Sequence, residues 1–255
     1  MTEEERALRR EFARLYELKD SVRGPTPTNA YFRGFTGHLA RSAHIRDFYL
    51  RYERSLQGLD DQAREHLKQE ALPRLTARDK RGRGWQQLFD LLNEARAYNY
   101  LKSLGATNLH FIPRSSGKTP DLEGTLARNR LLCEVKTFNI SEEEVAFRSG
   151  RKKVRSGQIT LPAEFLKKLR TTVDAAKQQL LAFDPARGST HYVYLNLGFD
   201  DILGEFKESY FRQIDNDLAR TPVTDVRLVL CNDYTAFYKP LYMRCADVDN
   251  MGQTG

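Results

Sequence analysis

Arg130 to Phe138, RLLCEVKTF, constrains the fold more than any other stretch of the chain. It is an apolar run carrying one acid and one lysine two residues apart. Side chains two apart on a strand point to the same face. As a strand, the segment therefore sets Glu134 and Lys136 side by side and puts Leu131, Cys133 and Val135 on the opposite face, where they can bury against a helix. Thr119 to Leu126 reads as the partner strand of a hairpin turning at Ala127-Arg128-Asn129, which brings Asp121 back toward Glu134.

The flanking sequence extends this hairpin into a layered domain. Trp85 to Leu104 has the pattern of a helix ending at Gly105, a common helix stop. Asn108 to Ile112 reads as a short strand. Pro162 to Phe183 is a long helix with proline at its start and Phe165, Leu169, Val173, Ala176 and Leu180 on one side. His191 to Leu197 alternates as a strand, Ile202 to Leu218 is helical, and Val226 to Cys231 is a further strand. The order is helix, three strands, helix, strand, helix, strand. This predicts an α/β fold with a mixed central sheet flanked by helices.

Ahead of that domain lies a helical region, residues 1–78. Glu3 to Leu18 carries Leu8, Phe12, Leu15 and Leu18 at helical spacing and is followed by the breaker Gly24-Pro25-Thr26-Pro27. Leu39 to Leu56 and Asp60 to Leu72 are two more helices. Thr76 to Gly84, TARDKRGRG, has the composition of a linker, with Arg78, Lys80, Arg81 and Arg83 available to solvent or to phosphate. The second domain then spans 84–245. Tyr31, Phe32 and Phe35, beside Arg33, suit either base stacking or the core of the helical region.

Composition bears on partners. The 255 residues carry a formal net charge of +7 and a pI near 9.3, which favours polyanions, because each lysine or arginine contact with phosphate releases counterions. No apolar run approaches the ~20 residues of a membrane helix, so no membrane association is expected. Three widely spaced cysteines, Cys133, Cys231 and Cys245, form neither a disulfide framework nor a thiolate zinc site, and a cytoplasmic location follows as the expectation. The histidines His38, His44, His66, His110 and His191 lack ligand spacing and read as structural or exposed.

Asp121, Glu134 and Lys136 together suit phosphodiester hydrolysis. Hard cations such as Mg²⁺ take one or two carboxylates, with water and substrate phosphate completing the shell. The metal lowers the pKa of its water and polarises the phosphoryl oxygen. A neighbouring lysine can orient that water and offset charge in the transition state. The Val135 carbonyl offers a further oxygen. Glu123 shares the strand face of Asp121 and reads as a second-tier ligand or a solvent-facing acid.

The segment TPDLEGTLARNRLLCEVKTF, with Pro120-Asp121 ahead of Glu134-Val135-Lys136, resembles the active-site core of the PD-(D/E)xK nuclease superfamily, which has the restriction-endonuclease-like fold. The resemblance covers about Trp85 to Leu197. It implies Asp121 and Glu134 as ligands of Mg²⁺ or Mn²⁺, Lys136 as the catalytic lysine, and Glu94, on the preceding helix, as a further catalytic acid. Glu94 also interrupts an apolar stripe of Leu91, Tyr98 and Leu101, where a buried carboxylate needs a partner or a metal.

Nucleic acid, DNA above all, is the expected partner. Arg148, Arg151, Lys152, Lys153 and Arg155 lie in the basic stretch RSGRKKVR and suit a loop that tracks phosphates. The acidic run Glu142 to Glu144 just before it is placed to pair with that loop. By resemblance, Lys177 and Gln178 on the next helix touch substrate. Cleavage of both strands would suit a homodimer. Two other functions fit the same residues: a nucleic-acid-binding module without turnover, and an RNA-cleaving enzyme.

Overall fold

The computed structural model of the chain describes residues 1–22, 31–32, 34–41, 43–76, 86–114, 117–138, 159–199, 206–232 and 243–244. It divides by contact into two compact units, the first running through Leu101 and the second from Lys102 to Val248. The linker expected at 76–84 falls, from residue 77 onward, outside the described residues. The helix that follows it belongs to the first unit as far as Leu101.

The first unit is helical. Its elements are α1 (Glu3–Glu11), α2 (Ala13–Asp20), α3 (Phe35–Arg41), α4 (Ala43–Gln57), α5 (Asp61–Ala71), a 3₁₀ turn (Leu72–Leu75) and α6 (Gln86–Ser103). The single helix expected over residues 3–18 is two helices, broken at Phe12 (φ −116°, ψ 42°). The break survives because its orphaned amides find a partner elsewhere in the chain. Glu53 on α4 is almost fully buried and accepts from the Arg14 amide at 3.0 Å and the Leu15 amide at 2.9 Å. Phe12, Tyr16, Tyr31, Phe32, Phe35, Phe48, Tyr49, Tyr52 and Phe89 pack edge to face, as aromatic quadrupoles prefer. Tyr31, Phe32 and Phe35 are thus core residues; Arg33 lies outside the described residues.

Asp60 caps α5, accepting from the Ala63 amide at 2.8 Å, and its other oxygen accepts from the Tyr98 hydroxyl at 2.6 Å. Next to it, Gly58 leaves room for Asn99, whose amide donates to the carbonyls of Ser55 at 2.7 Å and Ala95 at 2.9 Å. A Cβ at position 58 would overlap the Asn99 amide. Gly58→Ala should therefore destabilise the chain by about 1–3 kcal/mol, through overpacking and loss of a buried hydrogen bond. Urea unfolding monitored by circular dichroism measures this; an unchanged midpoint would contradict it.

The second unit is α/β. Its sheet follows the chain order, β1 (Thr107–Phe111), β2 (Leu122–Leu126), β3 (Asn129–Phe138), β4 (Thr190–Leu197), β5 (Arg227–Asn232) and the two-residue β6 (Met243–Arg244). β1, β2 and β3 pair antiparallel, and β3 to β6 pair parallel. Among the described residues the helices of the unit are α7 (Ala163–Phe183), between β3 and β4, and α8 (Lys207–Arg220), between β4 and β5. The mixed sheet, the hairpin and the alternating order agree with the sequence pattern. β4 is buried along nearly its whole length, as expected of a central parallel strand.

Two details shape the site. The β2–β3 turn uses Ala127 and Arg128, both left-handed (φ 49° and 68°), the backbone form a tight two-residue hairpin requires. β2 begins at Leu122, so Asp121 stands just before the ladder rather than inside it. The Leu131, Cys133 and Val135 face of β3 is buried, as its composition demands. The face shared by Glu134 and Lys136, however, is the one α7 packs on: Leu132 and Phe138 from β3 join Leu169, Val173, Ala176 and Leu180 from α7 in one core. The charged pair thus interrupts a helix-covered face.

Candidate functional site

Asp121 is held by three hydrogen bonds. Its amide donates to the Cys133 carbonyl at 3.0 Å, its carbonyl accepts from the Ile112 amide at 2.9 Å, and its Oδ2 accepts from the Val135 amide at 2.7 Å. These bonds extend the β1–β2–β3 ladder by one residue and aim the carboxylate at β3. The Cys133 carbonyl and the Val135 amide both face this side of β3, and a residue's carbonyl points the same way as its amide within a strand. The Val135 carbonyl consequently also lies on the Asp121 side.

Glu134 is buried to 1% exposure and has two partners. Its Oε1 receives the Lys136 ammonium, which remains partly open to solvent. Its Oε2 accepts from Gln179 Nε2 at 2.7 Å, and the same amide nitrogen donates to the Thr119 carbonyl at 2.7 Å. Gln179 therefore ties α7 to the carboxylate and to the segment leading into Asp121.

Burial first, and then the negative charge of Asp121, push Glu134 up to about 8. The Lys136 and Gln179 contacts pull the other way and do not prevail. Asp121 retains some accessible surface, yet the protein around its carboxyl group raises its pKa through desolvation, against the pull of the Val135 amide, Lys136 and Arg114. Two neighbouring carboxyl groups whose pKa values are both raised by desolvation form a site short of positive charge. A proton relieves it, and so does a divalent cation.

The donor set fits a hard cation. Among the described residues no three His, Cys, Asp or Glu side chains gather as a metal-binding group. Two carboxylates and a nearby carbonyl are an oxygen set of the kind Mg²⁺ accepts, with water and substrate completing the shell. Zinc, which prefers nitrogen and sulfur, is not matched.

The other expected residues are placed as follows. Glu94 lies on α6 in the first unit and is buried at 7% exposure. Glu123 is paired across the hairpin with Arg130, at 2.9 and 3.1 Å, so its carboxylate is engaged away from Glu134. Lys177 is also engaged elsewhere, with Asp225 at 2.7 Å and Thr224 at 3.3 Å. Gln178 is exposed. His191 is buried against Asp184 at 3.0 Å, where it braces the turn after α7. Arg148, Arg151, Lys152, Lys153 and Arg155 lie outside the described residues, as does the acidic run before them.

Gln179 is the contact that the sequence reading missed. A signal for it does exist: Gln179 flanks the buried stripe of Val173, Ala176 and Leu180 on one side, and Lys177 flanks it on the other. Comparison with protein-family models, curated proteins and solved structures finds no match to the chain. No helix among the described residues is long and apolar enough to cross a membrane.

Proposed function

We propose that the chain is a metal-dependent nuclease that hydrolyses phosphodiester bonds in DNA, built on a restriction-endonuclease-like fold. The observation that carries this reading is the Asp121–Glu134 pair, Glu134 buried and Asp121 half-buried, short of positive charge, with the partly exposed Lys136 ammonium beside it. Asp121, Glu134 and the Val135 carbonyl would hold the cation. A bound Mg²⁺ or Mn²⁺ supplies an activated water and polarises the phosphoryl oxygen.

The chain's own residues do the rest. Asp121 is fixed by the Val135 amide, so its free oxygen has little freedom left. Gln179 holds Oε2 of Glu134 and thereby its rotamer. Lys136 has the exposure to reach an incoming phosphate and the charge to offset what accumulates on it during attack. Such preorganisation costs no rearrangement at the moment of reaction.

The test is cleavage of labelled single-stranded DNA, duplex DNA and RNA with Mg²⁺ or Mn²⁺ between pH 5 and 9. Cleavage should vanish in EDTA. At subsaturating metal the rate should climb with pH up to about 8, because Glu134 must release its proton before it binds a cation. Without metal, the sign for stability is the reverse. The folded-state pKa of Glu134 is raised, so its contribution is complete below the ordinary carboxylate range and is lost as pH rises through about 8. Added Mn²⁺ should then raise the melting temperature more at pH 8 than at pH 5. Failure to cut any of the three substrates with either metal would sink the proposal, and cleavage of RNA alone would move the substrate from DNA to RNA.

A further inference from the structure

We propose that Lys168 is a second phosphate-binding residue, engaging the strand about two nucleotides from the bond that is cut. This rests on the nuclease reading above and extends it to the path of the substrate.

Lys168 lies on α7 and is exposed. Its ammonium sits 4.6 Å from the centroid of the Phe138 ring. Phe138 is two residues beyond Lys136 on β3 and therefore on the same face. A strand rises about 3.3 Å per residue, so the step from Lys136 to Phe138 is ~7 Å. A nucleic-acid strand rises ~3.4 Å per phosphate along a duplex axis, which makes this step about two nucleotides long.

α7 supplies the second line of the argument. Lys168, Thr172, Ala175 and Gln179 recur at intervals of four, three and four and so share one helical face. Gln179 marks the end of that face at Glu134, and Lys168 marks the end at Phe138. Between them the same helical face carries the short side chains of Thr172 and Ala175, the latter exposed.

The way Lys168 is held matters as much as its place. Lys177 and Arg170, on the other flank of α7, are committed to Asp225 and Asp217 at 2.7 Å each. A carboxylate neutralises the cation it holds. A ring face positions an ammonium without cancelling its charge, so a phosphate can still be bound. α7 thus spends the cations of one flank on structure and presents a charged one on the flank that also carries Gln179.

The experiment is the salt dependence of binding to labelled single-stranded and duplex DNA in EDTA, for the full chain and for Lys168→Ala, Lys168→Arg and the charge control Arg220→Ala. Removing one phosphate contact should lower the slope of log K against log salt by about 0.7 on single strands or 0.9 on duplex. Lys168→Ala should also weaken binding about three- to tenfold at low salt. Lys168→Arg should restore both quantities, and Arg220→Ala should change neither. An unchanged slope in Lys168→Ala, with the unaltered chain binding and cutting normally, overturns this inference and leaves the nuclease reading intact. A slope that falls equally in Arg220→Ala also overturns it, since the effect would then be one of net charge. An unaltered chain that neither binds nor cuts DNA overturns both.

Discussion

Asp121→Asn is expected to abolish metal-dependent cleavage, by about 10³-fold or more, and to leave the chain at least as stable as before. The two effects have separate causes. Asparagine keeps an oxygen that can accept from the Val135 amide, now 2.7 Å from Asp121 Oδ2, so the lead-in to β2 stays in place. What is lost is one of the two charges a cation needs. What is gained is relief: Glu134 no longer faces a neighbouring carboxylate, and one desolvated carboxyl group is gone from the site. A stabilised but inactive variant is the signature of a site whose strain serves function. Initial rates and melting temperatures measured on the same preparation decide it. Cleavage within tenfold of the unaltered chain would remove Asp121 from any catalytic role.

Lys136→Ala tests the other half of the site. It should lower turnover by about 10²–10³-fold with a smaller effect on substrate affinity, because the amine acts on charge that develops during the reaction. It also strips Glu134 of the partner at Oε1 and leaves Gln179 alone to hold the carboxyl group. Proton affinity at Glu134 should rise further, and the pH dependence of cleavage should move up with it.

The largest expected effect on stability lies in the helical unit, at Glu53. Glu53→Ala should cost about 2–4 kcal/mol, visible as a lower urea midpoint. α2 has no capping side chain of its own. Glu53 satisfies two of its N-terminal amides from α4, and its Oε1 also accepts from Gln57 at 2.9 Å. Alanine leaves both amides without an acceptor in a buried place and removes a negative group from the positive end of a helix. Burial raises the pKa of Glu53 despite these bonds. Its linkage contribution is therefore complete below the ordinary glutamate range and declines as pH rises through the raised value. The stability gap between the unaltered chain and Glu53→Gln should accordingly narrow toward higher pH. A Glu53→Ala variant as stable as the parent would show that water can satisfy those amides.

Much of the second unit can be read along the chain because its signals are local. Alternation in RLLCEVKTF places Glu134 and Lys136 on one face of a strand, and a short turn commits residues 119–126 to pair with it. The stripe from Phe165 to Leu180 makes α7 a helix with a defined buried side. Each of these follows from the 2.0 and 3.6 residue periods of backbone geometry, which are written into consecutive residues.

Partner choice across the fold is a different matter. α7 has two flanks beside its buried stripe, and periodicity treats them alike. Only the packing of α7 on β3 decided that Gln179, 45 residues from Glu134, faces the acids while Lys177 turns to Asp225. In the same way, local pattern made residues 3–18 one helix, and the chain breaks it at Phe12 because Glu53, 38 residues beyond Leu15, satisfies the amides exposed by the break. Sequence by itself determined which faces must be buried and which residues share them. The tertiary structure alone decided which buried group answers which, because a hydrogen bond or an ion pair depends on distances of a few ångströms between segments whose separation along the chain carries no record of them.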